Sequence, residues 1–272
     1  MTVPATDDKV RRDVTTPLRL SGVVHAEWVK IRSVRSTYAL LIAAVVVSVA
    51  LSGLIAWATM ATWEDRAEGF EPVSGSLIGL FFGQIAIMVF SILVISAEYT
   101  TGSIRGTLIA VPDRTRLLLA KVIITAALAL AAGLVMSFGS FFVGQAVYTT
   151  RGVETTIGAD GVLVALLRGG LLICMTGVIA LGVGFLARQS SAAIGVTFGI
   201  YFLPILFSGF LPEWFQKNVI KYMPNTSSAV MLYPDPAVPD VGVTPMSGFL
   251  TLSAWALAML IPAALLFHRR DS

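Results

Sequence analysis

Charged side chains are scarce in this sequence. Asp, Glu, Lys and Arg make up 13% of the 272 residues, whereas they make up about 25% of a typical soluble protein. Hydrophobic residues make up 56%, and the mean hydropathy is +0.83. One globular core cannot bury so much apolar surface, so the composition excludes an ordinary soluble domain and predicts an integral membrane protein.

Side chains that bind metals, nucleotides or reacting atoms are also few. Cys174 is the only cysteine, which excludes a disulfide framework and a cysteine-ligated zinc site. His25 and His268 are the two histidines, and both lie outside the long apolar stretches. The sequence has no GxxxxGK[ST] loop for nucleotide phosphates. We therefore expect a non-catalytic chain that binds no cofactor itself.

Six stretches are long enough to cross a membrane as helices, which takes about twenty uncharged residues each. They lie at residues 38–60, 77–97, 122–148, 169–187, 191–211 and 247–267. Lys and Arg are concentrated in the segments that six spans would place on the side of both termini, so we expect cytoplasmic termini. The sequence thus predicts an all-α membrane protein with one domain at residues 20–268, preceded by a flexible cytoplasmic segment at residues 1–19.

Between their ends, these six stretches contain no Asp, Glu, Lys, Arg or His. Ion-coupled transporters usually carry ionisable groups near the middle of the membrane, because these groups bind the coupling ion. Proteolysis inside the membrane also needs acid–base groups there. This absence argues against both kinds of protein.

Residues 20–37 have an amphipathic pattern. Val24, Trp28 and Ile31 follow helical spacing, while basic residues such as Lys30 occupy other positions. Such a helix can lie in the headgroup layer of the membrane with Trp28 directed toward the acyl chains. The alternative is a cytoplasmic extension of the first span.

A second amphipathic pattern follows the second stretch, at residues 98–116. Ile104 and Leu108 keep helical spacing until Pro112, which cannot continue a helix. Asp113 is well placed to cap the next helix through its side chain. We expect a short helix with one apolar face; a turn that only joins two spans is the alternative.

Three segments resemble the type 2 ABC exporter permease family. They read Ala-Glu-Trp-Val-Lys-Ile-Arg-Ser at 26–33, Ala-Glu-Tyr-Thr-Thr-Gly-Ser-Ile-Arg-Gly-Thr-Leu at 97–108 and Pro-Asp-Arg-Thr-Arg-Leu-Leu-Leu-Ala-Lys at 112–121. The resemblance extends over about residues 20–268. It implies an interface helix before the first span and a coupling helix within residues 98–116 that docks on a separate ATPase.

The resemblance also implies roles for individual residues. Those of the interface helix are Glu27, Trp28, Lys30 and Arg32. In the coupling helix, Ile104 and Leu108 would fill an apolar groove of the ATPase. The other residues of that contact would be Glu98, Gly102 and Arg105. Phe81 and Gln84 would face the transport pathway, and Trp214 and Phe215 would form an outer lid, for which a helix that merely anchors the loop is the alternative.

The partners follow from the same resemblance. They are an ABC ATPase that binds ATP and Mg, and a second permease, either another copy or a homologue, in the plasma membrane of a bacterium. The basic residues flank the spans, so no nucleic-acid partner is expected.

Glycine pairs at Gly79–Gly83 and Gly195–Gly199 favour packing within one chain over a dedicated dimer contact. A membrane scaffold or sensor with a non-ATPase partner remains the chief alternative, and an ion-coupled transporter is the third. The sequence leaves the substrate open.

Overall fold

The computed structural model of the chain describes residues 19–63, 70–234 and 243–270. Within these ranges all regular structure is helical. The all-α class is therefore confirmed for the described residues. The predicted flexible segment at residues 1–19 lies, except for Arg19, outside them.

The helices follow one another along the chain with short connections. They are α1 (Leu20–Ser33), α2 (Arg35–Ala61), α3 (Pro72–Leu77), α4 (Leu80–Thr100), α5 (Ile104–Ala110), α6 (Arg114–Tyr148), α7 (Val162–Ala187), α8 (Ser190–Leu206), α9 (Glu213–Asn218), α10 (Pro224–Met231) and α11 (Pro245–Arg270). Single 3-10 turns lie at Thr149–Arg151, Ser208–Phe210 and Ile220–Tyr222.

Five of the described helices are long and apolar enough to cross a membrane, namely α2, α4, α6, α7 and α11. They correspond to five of the six predicted spans. The predicted span at 191–211 is shorter in the structure, since α8 has 17 residues and ends at Leu206. At 1.5 Å per residue it is about 26 Å long, slightly less than the hydrocarbon thickness of about 30 Å. Pro204 lies in its last turn, where the chain changes to a 3-10 turn.

Two span boundaries differ from their predicted positions because turns and caps, rather than charges, set them. Helix α6 begins at Arg114 and not at 122, since Asp113 caps it by accepting a hydrogen bond from the backbone N–H of Arg116 at 3.1 Å. The predicted Asp113 cap is thus confirmed. Helix α7 begins at Val162 and not at 169, directly after Gly161, whose φ of 76° ends the preceding turn.

Helix α7 is the centre of the bundle, with α4, α6 and α11 packed against it. The two glycine pairs have different surroundings. A side chain at Gly79 would collide with the backbone of Ser48 on α2, and one at Gly83 would lie 2.6 Å from the sulfur of Met136. Gly195 has no atom within 4 Å among the described residues. Packing within one chain is therefore confirmed for the first pair, while Gly195 faces open space.

Candidate functional site

Helix α1 packs along the N-terminal part of α6. Its buried residues are Val23, Glu27 and Ile31, which are four positions apart and share one face. Trp28 is 39% exposed at the edge of this face. The amphipathic helix is thus confirmed, but its buried face contains a carboxylate that the hydrophobic pattern does not indicate.

The Glu27 carboxylate belongs to a cluster of four charged side chains from three helices. Lys121 of α6 has no exposed surface, and its Nζ lies 2.7 Å from Glu27 Oε2 and 2.7 Å from Glu98 Oε1. Lys30 Nζ lies 2.7 Å from Glu27 Oε1 and 2.7 Å from the same Glu98 oxygen. We call Glu27, Lys30, Glu98 and Lys121 the charge cluster. It connects α1 and α6 with the end of α4.

The composition of the charge cluster explains how its members can be buried. Two carboxylates and two ammonium groups cancel in net charge, and each charge has two opposite neighbours. An unpaired charge in such a place would cost several kcal/mol. The other carboxylate oxygen of Glu98, Oε2, is buried and has no hydrogen-bond partner among the described residues. Only Lys30 reaches solvent, with 39% of its side chain exposed.

The pKa values of the two α1 members show the effect of this pairing. Burial by itself would raise the pKa of Glu27, but the neighbouring Lys121 and Lys30 ammonium groups hold it below its ordinary value. Burial would lower the pKa of Lys30, but hydrogen bonds to Glu27 and Glu98 hold it above its ordinary value. Both groups are therefore charged at neutral pH.

Helix α5 lies beside the charge cluster, between α4 and α6. Ile104 is 7% exposed and belongs to an apolar cluster that includes Val23 and Phe185, and Leu108 packs against the same cluster. Both side chains contact this chain, and the prediction that Ile104 and Leu108 fill a groove of another protein stays a prediction. Glu98 is likewise buried in the charge cluster and does not lie on an exposed docking face.

The exposed face of α5 carries other residues. Ile109 is 82% exposed, and Arg105 and Gly106 are exposed as well. Gly102, between α4 and α5, has a φ of 71°, a conformation that side-chain-bearing residues rarely adopt. Gly102 thus allows the turn that separates α5 from α4. The result is a short helix with its inner face attached to the bundle and its outer face open.

Comparison with known proteins decides the family to which this arrangement belongs. A family model described as ABC-2 family transporter protein matches residues 23–204, from the first turn of α1 to the last turn of α8. The chain belongs to the ABC-2 transporter family. A search of curated proteins found no match to the chain.

The matched region of this ABC-2 family chain contains the whole charge cluster and α5. Two residues in it were missed by sequence reasoning. Lys121 was counted only among the basic residues that flank the spans, although a helix that starts at Arg114 places it two turns inside α6. Ile109 was not singled out, because an amphipathic pattern does not tell which apolar side chain packs inward.

The opposite end of this membrane protein holds the residues predicted as an outer lid. Trp214 is 68% exposed on α9, and Phe215 is partly buried. Trp255 of α11 donates a hydrogen bond from Nε1 to the Tyr222 carbonyl oxygen at 3.0 Å, which holds the segment after α9 against the bundle. The lid role of Trp214 and Phe215 stays a prediction.

The predicted pathway residues lie near this end as well. Phe81 is 38% exposed and packs edge-to-face on Phe202 of α8, with ring centroids 5.3 Å apart. Gln84 is buried and donates a hydrogen bond to Thr176 Oγ1 at 3.0 Å, and Tyr201 donates to the same oxygen at 3.2 Å. Gln84 therefore links α4 to α7 in this chain, and the residue is 4% exposed.

Proposed function

We propose that this chain is the membrane-spanning permease of an ATP-driven exporter whose ATP and Mg are bound by a separate ABC ATPase. The observation that supports it most is the open face of α5 in a chain of the ABC-2 family. Ile109 exposes 82% of its surface on a seven-residue helix whose other side is fixed to the bundle. A large apolar side chain held outward in this way is suited to enter a groove of a partner.

In this proposal, Ile109 replaces Ile104 and Leu108 as the residue that fills the groove of the ATPase. Arg105 would form charged contacts at the rim, and Gly102 would set the direction of α5. Glu98 would act from inside the chain. Any displacement of α5 would reach Glu98 through the turn at Gly102, and the charge cluster would pass it to α1 and α6.

We further propose that α8 is the sixth span and that both termini are cytoplasmic. The distribution of Lys and Arg supports this orientation, because these residues are concentrated on the side of both termini and cytoplasmic segments are enriched in them. The charge cluster and α5 then lie at the cytoplasmic side. Arg188, which follows α7 at φ 55°, and the basic residues Arg114 and Arg116 also fall on that side. The proposed location is a plasma membrane, in a bacterium.

Transport would require two such chains, either two copies or one copy with a homologue. Helix α8 supports this step, since Ser191, Ala192, Gly195 and Val196 are exposed on one part of its surface. Small residues let two helix backbones approach closely, and van der Waals packing drives such association in lipid. Alternate opening of this contact would move the substrate outward.

Co-purification from native membranes tests the proposed ATPase contact. A tagged wild-type chain should bring down an ATPase with a phosphate-binding loop, and Ile109→Asp should lose it, because a carboxylate would have to enter an apolar groove. Ile157→Asp is a matched control, since Ile157 is also exposed but lies in the connection between α6 and α7 at the opposite end. It should retain the ATPase at equal expression.

Two outcomes would contradict the proposal. If Ile109→Asp retains the ATPase as fully as Ile157→Asp does, α5 is not the docking element. If the wild-type chain forms a stable complex that contains no ATPase, the chain acts as a scaffold or sensor for another cytoplasmic protein.

A further inference from the structure

A cavity of about 590 Å³ opens between α2, α3, α4, α7 and α10. It lies at the end of the bundle that is opposite to α5 and the charge cluster. Its volume falls within the range of about 300–1,000 Å³ that is typical of small-molecule sites. All of the described residues that line it belong to this one chain.

Part of the cavity lining is polar. Glu71 precedes α3, and each of its carboxylate oxygens accepts one backbone N–H, from Val73 or from Ser74. Since an ionised carboxylate has about four acceptor positions, capacity remains for a ligand. The Asn225 amide and the Tyr233 hydroxyl also line the cavity, and neither has a hydrogen-bond partner within the described ranges. Asn225 is only 9% exposed.

Another part of the lining is apolar and includes aromatic rings. Phe81 and Phe82 from the first turn of α4 meet edge-to-face with their centroids 5.4 Å apart. Ile55 of α2 and Leu172 of α7 also line the cavity. Rings of this kind accommodate apolar groups and attract organic cations through their negative faces.

The lining of the cavity includes a carboxylate. Among its described lining residues, Glu71 is the only charged one, and there is no Lys, Arg or His. Arg168 contacts the rim, where its guanidinium donates to the Tyr233 carbonyl oxygen at 3.4 Å, but it does not line the cavity. A ligand inside would therefore meet aromatic faces and one carboxylate, which favours a positive over a negative group.

We propose that this cavity binds amphipathic organic cations, with the cationic group near Glu71 and Asn225 and the apolar body between Phe81, Phe82 and Ile55. The further step, that such a cation is a substrate, rests on the proposed function. Binding itself does not, because all of the residues that carry it belong to this chain.

Two ions of the same shape and opposite charge test the charge preference. The purified full-length chain in lipid nanodiscs is titrated with tetraphenylphosphonium and with tetraphenylborate, and binding is measured by equilibrium dialysis against empty nanodiscs. We expect saturable binding of the phosphonium that exceeds binding of the borate. Glu71→Gln keeps the size and one acceptor oxygen but removes the charge, so it should weaken phosphonium binding by about fivefold and should not weaken borate binding.

Further variants separate a specific effect from loss of the fold. Glu213→Gln removes an exposed carboxylate from α9, outside the cavity, and should leave binding unchanged. Ala229→Trp fills the cavity from an exposed position on α10 and should abolish saturable binding. Leu250→Trp adds the same side chain at an exposed position of α11 and should not.

The proposal is overturned if the two ions bind equally, if Glu71→Gln binds the phosphonium as tightly as wild type does, or if Ala229→Trp binds like Leu250→Trp. Equal binding of the two ions would indicate a cavity that binds any hydrocarbon, including lipid chains. Because the assay contains no ATPase, phosphonium binding by a chain that captures no ATPase would reject the exporter proposal and leave the cation site standing.

Discussion

Replacing Lys121 with methionine would show how strongly the charge cluster holds α1, α4 and α6 together. Lys121 is fully buried, and its ammonium group lies 2.7 Å from one oxygen of Glu27 and 2.7 Å from one of Glu98. Removing one partner from a buried ion pair costs about 3–5 kcal/mol, because the other charge is left uncompensated. Lys30 would still contact both carboxylates, so we expect a loss of about 3 kcal/mol, at the lower end of this range.

Lys30→Met provides the matched comparison, since it removes the same group from the same two carboxylates. Lys30 has 39% of its side chain exposed, so water can take the place of its ammonium group. Exposed ion pairs contribute about 1 kcal/mol or less. The destabilisation should therefore be clearly smaller than that of Lys121→Met, although both lysines have the same number of carboxylate contacts.

A third variant replaces all four members of the charge cluster with methionine. No charge is then left unpaired, and replacing a buried ionic network with apolar residues is often neutral or stabilising. We expect this variant to unfold at a higher temperature than Lys121→Met. Thermal unfolding of the purified chain in detergent, followed by tryptophan fluorescence, gives the ranking.

The result that would refute this reasoning is a different order of stability. If Lys30→Met lowered the unfolding temperature as much as Lys121→Met, burial would not decide the strength of the pairs. If the fourfold variant were less stable than Lys121→Met, uncompensated charge would not be the cause of the loss.

Further expectations concern pH and the glycines. The pKa of Glu27 lies below its ordinary value of 4.5 in the folded chain. The ionised Glu27 therefore stabilises the fold above pH 4.5, and this contribution is lost as the pH falls through the lowered pKa. In Glu27→Gln, stability should depend less on pH in that acid range. Lys30 has the opposite sign, since its pKa is raised above 10.5 and its stabilisation is lost only as the pH rises through that raised value. Gly79→Ala should destabilise the chain by about 1–3 kcal/mol, because the added methyl group would meet the Ser48 backbone. Gly195→Ala should leave the free energy of unfolding unchanged or raise it by about 0.5–1 kcal/mol. If α8 is the contact between two chains, chemical cross-linking of this variant should show weaker pairing than that of wild type.

Most of the fold could be predicted from local sequence properties. Five of the predicted spans are helices in the structure, because uncharged length is enough to indicate a helix in lipid. Helix α1, helix α5 and the Asp113 cap also follow from spacing and from Pro112. The boundaries of α6 and α7 were less accurate, since helices continue past a charge such as Lys121 or Arg168 when packing or pairing satisfies it.

The candidate site could be predicted only in part. Glu27, Lys30 and Glu98 were singled out, but in two separate roles. Lys30 and Glu98 are separated by 68 positions in the sequence, and Lys121 and Glu27 by 94, yet each pair is in contact. No local pattern encodes such pairs, because they arise only when α1 packs across α4 and α6.

The sequence by itself determined the class of this protein. Its few charges, their confinement to the ends of apolar stretches, and the segments around Glu27 and Glu98 were enough to indicate a permease-like membrane protein. The tertiary structure decided which side chains of α5 are buried and which are exposed. Ile104 and Ile109 are both apolar residues of one short helix, but Ile104 packs with Val23 and Phe185 while Ile109 remains exposed. The physical reason is that helical spacing defines faces, whereas only packing against distant helices decides which face is buried.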